Sequence, residues 1–207
     1  MPRLRGTVII CLAPLVIGHL LPLLTASGAV PPTTEKPLSA PTRFKSKKYG
    51  YSIMIPRGWY LSVDADQFFV SSFPTKLDVG YGVFPESGAA ILVVALSAPR
   101  DESARYILRN QISHMWIHTT RAVIEHLPAS RAPAVSDLTL VSLDTQPVGG
   151  QRARRIVAYL FELHGRALEA SIEYWEGDSK GQSYEDALRQ IVESIKTEAP
   201  EGESAGP

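Results

Sequence analysis

Two short constellations in the sequence combine residue types that do chemistry. Gly177-Asp178-Ser179-Lys180-Gly181 spells G-x-S-x-G, the pattern of a hydrolase nucleophile elbow, where a serine on a tight strand-to-helix turn attacks an acyl carbon. His114, His118 and Glu125 stand at i, i+4 and i+11 in a stretch that reads as one helix, so they share a narrow strip of its surface. Two imidazoles and a carboxylate placed in this way could hold zinc or copper.

Neither constellation is complete. An elbow serine sits where the helix starts at once, yet the following helix is expected to begin only at an N-cap Ser183. The elbow's histidine also comes after the serine, whereas His19, His114, His118, His126 and His164 all precede Ser179. Gly177, Asp178, Lys180 and Gly181 therefore read as turn residues, and no catalytic residue is assigned. The histidine strip lacks the Glu of H-E-x-x-H and lies beside an apolar stripe, the position of half-buried histidines. A secreted metal-dependent or serine hydrolase built on His114, His118 and Glu125, or on Ser179, stays as the alternative. No cofactor is assigned beyond that candidate metal ion.

The elements around these residues follow from periodicity. Short β-rich runs at 51–55, 58–63 and 67–71 are separated by turn residues and read as a meander. Ala89 to Leu96 is a continuous apolar run, expected as a strand buried on both faces. A long helix is expected over about 102–127, capped by Asp101 or Ser103, with Ala104, Leu108, Ile112, Met115, Thr119 and Ala122 on one stripe. Then come a strand at 137–145, a Pro147-Val148-Gly149-Gly150 turn, and alternating runs at 156–163 and 167–175 joined by a His164-Gly165 turn. A final helix carries Tyr184, Ala187, Leu188, Ile191, Val192 and Ile195 as its apolar stripe.

In the last strand, Leu168, Ala170, Ile172 and Tyr174 share one face, and Glu169, Ser171, Glu173 and Trp175 the other. That is an antiparallel sheet with one wetter side. Trp59, Trp116 and Trp175 read as core or core-edge packing. Trp175 beside Glu169 and Glu173 makes that side partly apolar, as a binding face would be.

The first residues carry Arg3 and Arg5, an almost uninterrupted apolar run and a small-residue end, the layout of a secretory signal over 1–29. Ser27 and Ala29 place cleavage after Ala29. Gly6 to Leu24 is also close to spanning length, so an uncleaved anchor within residues 6–29 is the other reading. Cys11, the only cysteine, is not preceded by a lipobox, and the mature chain has no thiol. Residues 30–42 read as a Pro/Thr-rich linker, 43–197 as one domain and 198–207 as an acidic disordered tail. The full chain of 207 residues has a formal charge of zero; removing residues 1–29 takes away two arginines and no acid, leaving 19 basic against 21 acidic residues and a net of −2. The cluster Arg43 to Lys48 is too short for a phosphate-binding face and reads as a solvated lead-in, so no nucleic-acid partner is expected.

Tyr49-Gly50-Tyr51-Ser52-Ile53-Met54-Ile55-Pro56-Arg57-Gly58-Trp59 resembles the opening signature of the PsbP-like family. Gly149-Gly150-Gln151-Arg152-Ala153 and the closing helix with Ile191-Val192-Glu193-Ser194-Ile195 are similar to its last strands and terminal helix, so that the resemblance covers about residues 43–197. It implies an α+β fold, a single α/β/α sandwich around a central, mostly antiparallel sheet. It also implies a non-enzymatic, exported protein that docks on a protein partner in the envelope or at a membrane surface, in a periplasmic, extracellular or lumenal compartment. Plant members work at the lumenal side of photosystem II, but none of their docking or metal residues match positions here, and the chain lacks the lipobox of bacterial relatives. If the leader is cleaved, intact mass spectrometry of the protein from its host's envelope is expected to give a chain starting at Val30; a full-length mass identifies an anchor.

Overall fold

A computed structural model describes residues 36–64, 67–74, 85–96, 103–115, 119–147 and 152–198. In chain order the elements are β1 (Thr42–Ser46), β2 (Tyr51–Ile55), β3 (Tyr60–Asp64), β4 (Gln67–Ser71), β5 (Ala89–Ala95), α1 (Ala104–Met115) and β6 (Thr119–His126). A 3-10 turn at Ala129–Arg131 is followed by β7 (Ser136–Thr145), β8 (Arg154–Leu163), β9 (Arg166–Trp175), α2 (Gly181–Glu193) and β10 (Lys196–Thr197). A seven-stranded sheet runs β3-β4-β5-β9-β8-β7-β6, and β1-β2-β10 form a small second sheet. All the pairings are antiparallel.

The β8–β9 hairpin organises the large sheet. Its turn places His164 at φ 50° and Gly165 at φ 74°, the two left-handed residues of a type I′ connection whose twist suits the flanking strands. The register then runs unbroken from Leu163↔Arg166 to Arg154↔Trp175. Along β9 the odd and even residues face opposite layers, and both are covered. Leu168, Ala170, Ile172 and Tyr174 enter the main core with α2 and the small sheet, while Ala167 joins a second core with Ala104 and Leu108 of α1. The result is an α/β/α sandwich.

Two expected elements differ. The helix ends at Met115, and residues 119–126 are a strand paired with β7 from Arg121↔Asp144 to His126↔Thr139. Thr119 and Ala122 fit helical spacing by coincidence, whereas the β-branched Thr119, Thr120, Val123 and Ile124 lose side-chain freedom in a helix and suit a pleated ladder. The basic lead-in is itself an edge strand, β1, which turns Arg43 and Lys45 out and packs Phe44 edge-on against Phe68 at 4.5 Å between centroids. Leu38, in the expected linker, exchanges backbone hydrogen bonds with Gly58 and Trp59, so the packed unit reaches back to it.

Helix α2 closes the main core. Leu188, Ile191 and Val192 are fully buried at i, i+3 and i+4, each contributing on the order of 2 kcal/mol of apolar burial. A polar row ties its first turns to the sheet: Asp144 of β7, Arg155 of β8 and Tyr174 of β9 are register neighbours. Arg155 donates to Asp144 at 2.8 Å and to Glu185 of α2 at 3.2 Å, and the Tyr174 hydroxyl donates to Glu185 at 2.6 Å. At the other end, the Ser194 hydroxyl donates to the Ile191 carbonyl and accepts from the Met54 N–H of β2, both at 2.7 Å.

This closure needs Gly181. A Cβ there would stand 2.7 Å from Cε2 and 3.1 Å from the hydroxyl of Tyr174. Gly181→Ala is therefore expected to lose about 1–3 kcal/mol in denaturant unfolding, in spite of alanine's better helix propensity; a gain in stability would show that the ring moves aside freely.

Candidate docking groove

Ser179 lies exposed in the turn between β9 and α2. Helix α2 starts at Gly181, two residues after it, with Lys180 as N-cap in place of Ser183. Asp178 builds this turn: its carboxylate accepts from the Lys180 N–H at 2.9 Å and the Gly88 N–H at 3.2 Å, and its carbonyl accepts from the Gly181 N–H. His164 sits at the opposite end of β9, about 30 Å away for a ten-residue strand.

The metal trio loses its common helix. Glu125 is an exposed residue of β6, opposite Leu140 of β7, so the spacing that put it in line with the histidines does not apply beyond Met115. His118 and the side chain of His114 lie outside the described residues. Among the described residues no group of three His, Cys, Asp or Glu could hold a metal ion.

The face carrying Glu169, Glu173 and Trp175 is covered, which corrects the expectation of a wetter side. Trp175 is only 7% exposed and its indole N–H donates to the Pro85 carbonyl at 2.9 Å. Arg154 and Arg152 lie over its ring, 5.0 and 5.8 Å from the centroid, and Arg154 is ion-paired with Glu173. These contacts seal one end of the sheet. Glu169 lies six residues away along β9, about 20 Å, beneath α1, so the three residues make no single patch.

An open surface exists elsewhere, between α2 and the β6–β7 edge. Leu127, Leu138, Leu140, Tyr159 and Val192 floor a hollow of about 180 Å³, and Glu125, Arg131, Arg189 and Glu193 rim it. A second hollow of about 290 Å³ continues from Leu127 and Leu138 past His126 and Ser136. Arg131 pairs with Glu193 at 3.7 Å and Arg189 with Asp186 at 2.7 Å, so the rim carries both signs of charge. Burial raises the Tyr159 pKa, an effect that Arg189 opposes, and its hydroxyl stays neutral. Joined through Leu127 and Leu138, the two hollows form one open groove with room for apolar side chains. The sequence hid this groove because 119–127 matched a helical period; the density of β-branched residues was the available signal.

Glu169 is the buried charge of the site's other face. It is 2% exposed; Gln111 of α1 donates to Oε2 at 2.7 Å, the Ser171 hydroxyl adds a bond, and Oε1 has no partner among the described residues. Burial, opposed by those two bonds, pushes its carboxyl above the ordinary range. A raised folded-state pKa stabilises fully below the unfolded value of about 4.3, and that contribution is lost as pH rises through the folded value. Glu169→Gln is therefore expected to gain on the parent above about pH 4.3, by up to about 1.4 kcal/mol per pH unit until the folded pKa is passed. Urea midpoints between pH 4 and 8 test this, and a difference that stays constant with pH contradicts it. Gln111, which interrupts the Ala104-Leu108-Ile112 stripe, was the sequence's one hint of a buried partner.

No protein-family model matches the sequence, and no curated protein matches it. Solved structures are similar. A protein of unknown function from Pseudomonas aeruginosa is similar over 74% of this chain and 96% of its own, at 11% identity and a TM-score of 0.44. The Ran-binding protein Mog1p of Saccharomyces cerevisiae is similar over 77% of this chain and 96% of its own, at 9% identity and a TM-score of 0.45. The solution structure of cyanobacterial PsbP from Synechocystis sp. PCC 6803 is similar over 84% of this chain and 98% of its own, at 11% identity and a TM-score of 0.44.

Proposed function

We propose that this protein is an exported, non-catalytic binding or assembly module that docks on a protein partner in the envelope or at a membrane surface. The observation that carries the reading is the groove between α2 and β7: an apolar floor of Leu127, Leu138 and Leu140, a neutral Tyr159 hydroxyl, and a rim of Arg131, Arg189, Glu125 and Glu193 that carries both signs of charge. An anion site would gather one sign of charge, whereas this rim suits a polypeptide segment that presents an apolar side chain flanked by both. Ser179 lies exposed on a turn at the far end of β9 from His164, which supports a non-catalytic reading. The leader with Arg3, Arg5 and its apolar run supports export, and no described helix is long and apolar enough to cross a membrane.

Charge reversal on the rim tests the groove without disturbing its floor. Arg131→Glu with Arg189→Glu is expected to weaken partner binding about tenfold or more, chiefly at low salt, while the melting temperature changes little. Quantitative affinity capture from the host envelope reads the effect; equal recovery of the same partner by parent and variant means that docking uses another surface.

A further inference from the structure

Strand β6 is one edge of the seven-stranded sheet, a strand of eight residues that pairs, among the described residues, with β7 on one side only and bulges at Thr120. Leu127 donates to the Leu138 carbonyl at 2.9 Å, and by the alternation of an antiparallel ladder Ala122 and Ile124 then turn their N–H and C=O groups outward. Val123 and Ile124, 47% and 39% exposed, lie on opposite faces of the same strand. An exposed edge with β-branched residues on both faces is a template for a further strand. Its charges specify which one. Arg121 and Glu125 flank Val123 symmetrically, both are exposed, and neither makes an ion pair among the described residues.

We propose that β6 pairs edge to edge with β6 of a second copy of this chain, antiparallel and centred on Val123, joining the two large sheets into one. In this register each Arg121 faces the partner subunit's Glu125, the two Val123 residues meet, and Ala122 faces the partner subunit's Ile124. The outward N–H and C=O groups of Ala122 and Ile124 fall opposite each other, as hydrogen-bonded pairs require. Neighbouring registers are worse. A two-fold centre at 121 or 125 sets like charges opposite each other, and one at 122 or 124 leaves both charges against uncharged residues. An isologous two-fold contact of this type closes on itself and stops at a dimer. The edge shares Glu125 with the groove rim but none of the groove's floor residues, so the inference goes beyond the docking function.

Sedimentation velocity of the full chain purified from its host, over a wide range of concentration, tests the register by charge swap. The parent is expected to dimerise; Arg121→Glu and Glu125→Arg are each expected to weaken the dimer about tenfold or more, and the double swap R121E/E125R to restore it. Ile124→Lys, which touches no ion pair, is expected to give monomer with an unchanged circular dichroism spectrum and melting temperature. A parent that stays monomeric, a dimer indifferent to the single reversals or to Ile124→Lys, or a folded double swap that stays monomeric would each overturn the proposal.

Discussion

Strand β9 must be buried on both faces, and most of the architecture is a response to that requirement. It lies between β5 and β8, with ten apolar or hydrogen-bonding residues that alternate between two layers. A sheet left open on one side would expose either Leu168, Ala170 and Ile172 or Ala167 and the indole of Trp175 to water. Helix α2 with the small sheet covers the first set; α1 and the segment at Pro85 cover the second. The cost of this complete coverage falls on Glu169, whose carboxyl is taken out of water with one oxygen unpartnered among the described residues.

The way α2 is fastened decides where the surface stays open. Its first turns are drawn onto β7, β8 and β9 by the row Asp144, Arg155, Tyr174 and Glu185, and its last turn onto β2 by Ser194. Once both ends are fixed, its middle crosses the sheet but does not reach β6. The strip between Val192 and Leu140 is left as a shallow groove, and β6 as a bare edge. Groove and edge therefore share one origin, a sheet with more strands than a single thirteen-residue helix and a three-stranded sheet can cover.

Much of the fold was legible in the sequence because it is written in local periods. The alternation of 156–163 and 167–175, the His164-Gly165 turn and the apolar stripe of α2 each report which face of their own element meets the core, and a short window contains that information. The candidate sites were much less legible. Ser179 read as a turn residue from a late helix start at Ser183 and from chain order; the helix in fact starts at Gly181, but the turn is where Ser179 lies. The face of Glu169, Glu173 and Trp175 read as open because two of its residues are acids; its burial depends on α1, whose Gln111 is 58 residues away in the chain.

By itself, the sequence determined the antiparallel hairpin and the closing helix, since each rests on residue types at fixed short separations. Tertiary structure alone decided that 119–126 is a strand, that Glu125 parts company with the expected helical strip, and that Glu169 is buried while Val123 and Ile124 are exposed. The physical reason is the same in each case. Periodicity tells which side of an element is apolar, but the choice between helix and ladder at Thr119–His126, and the layer that finally covers each face, are set by pairing with β7 and packing of α1, contacts between residues distant in the chain.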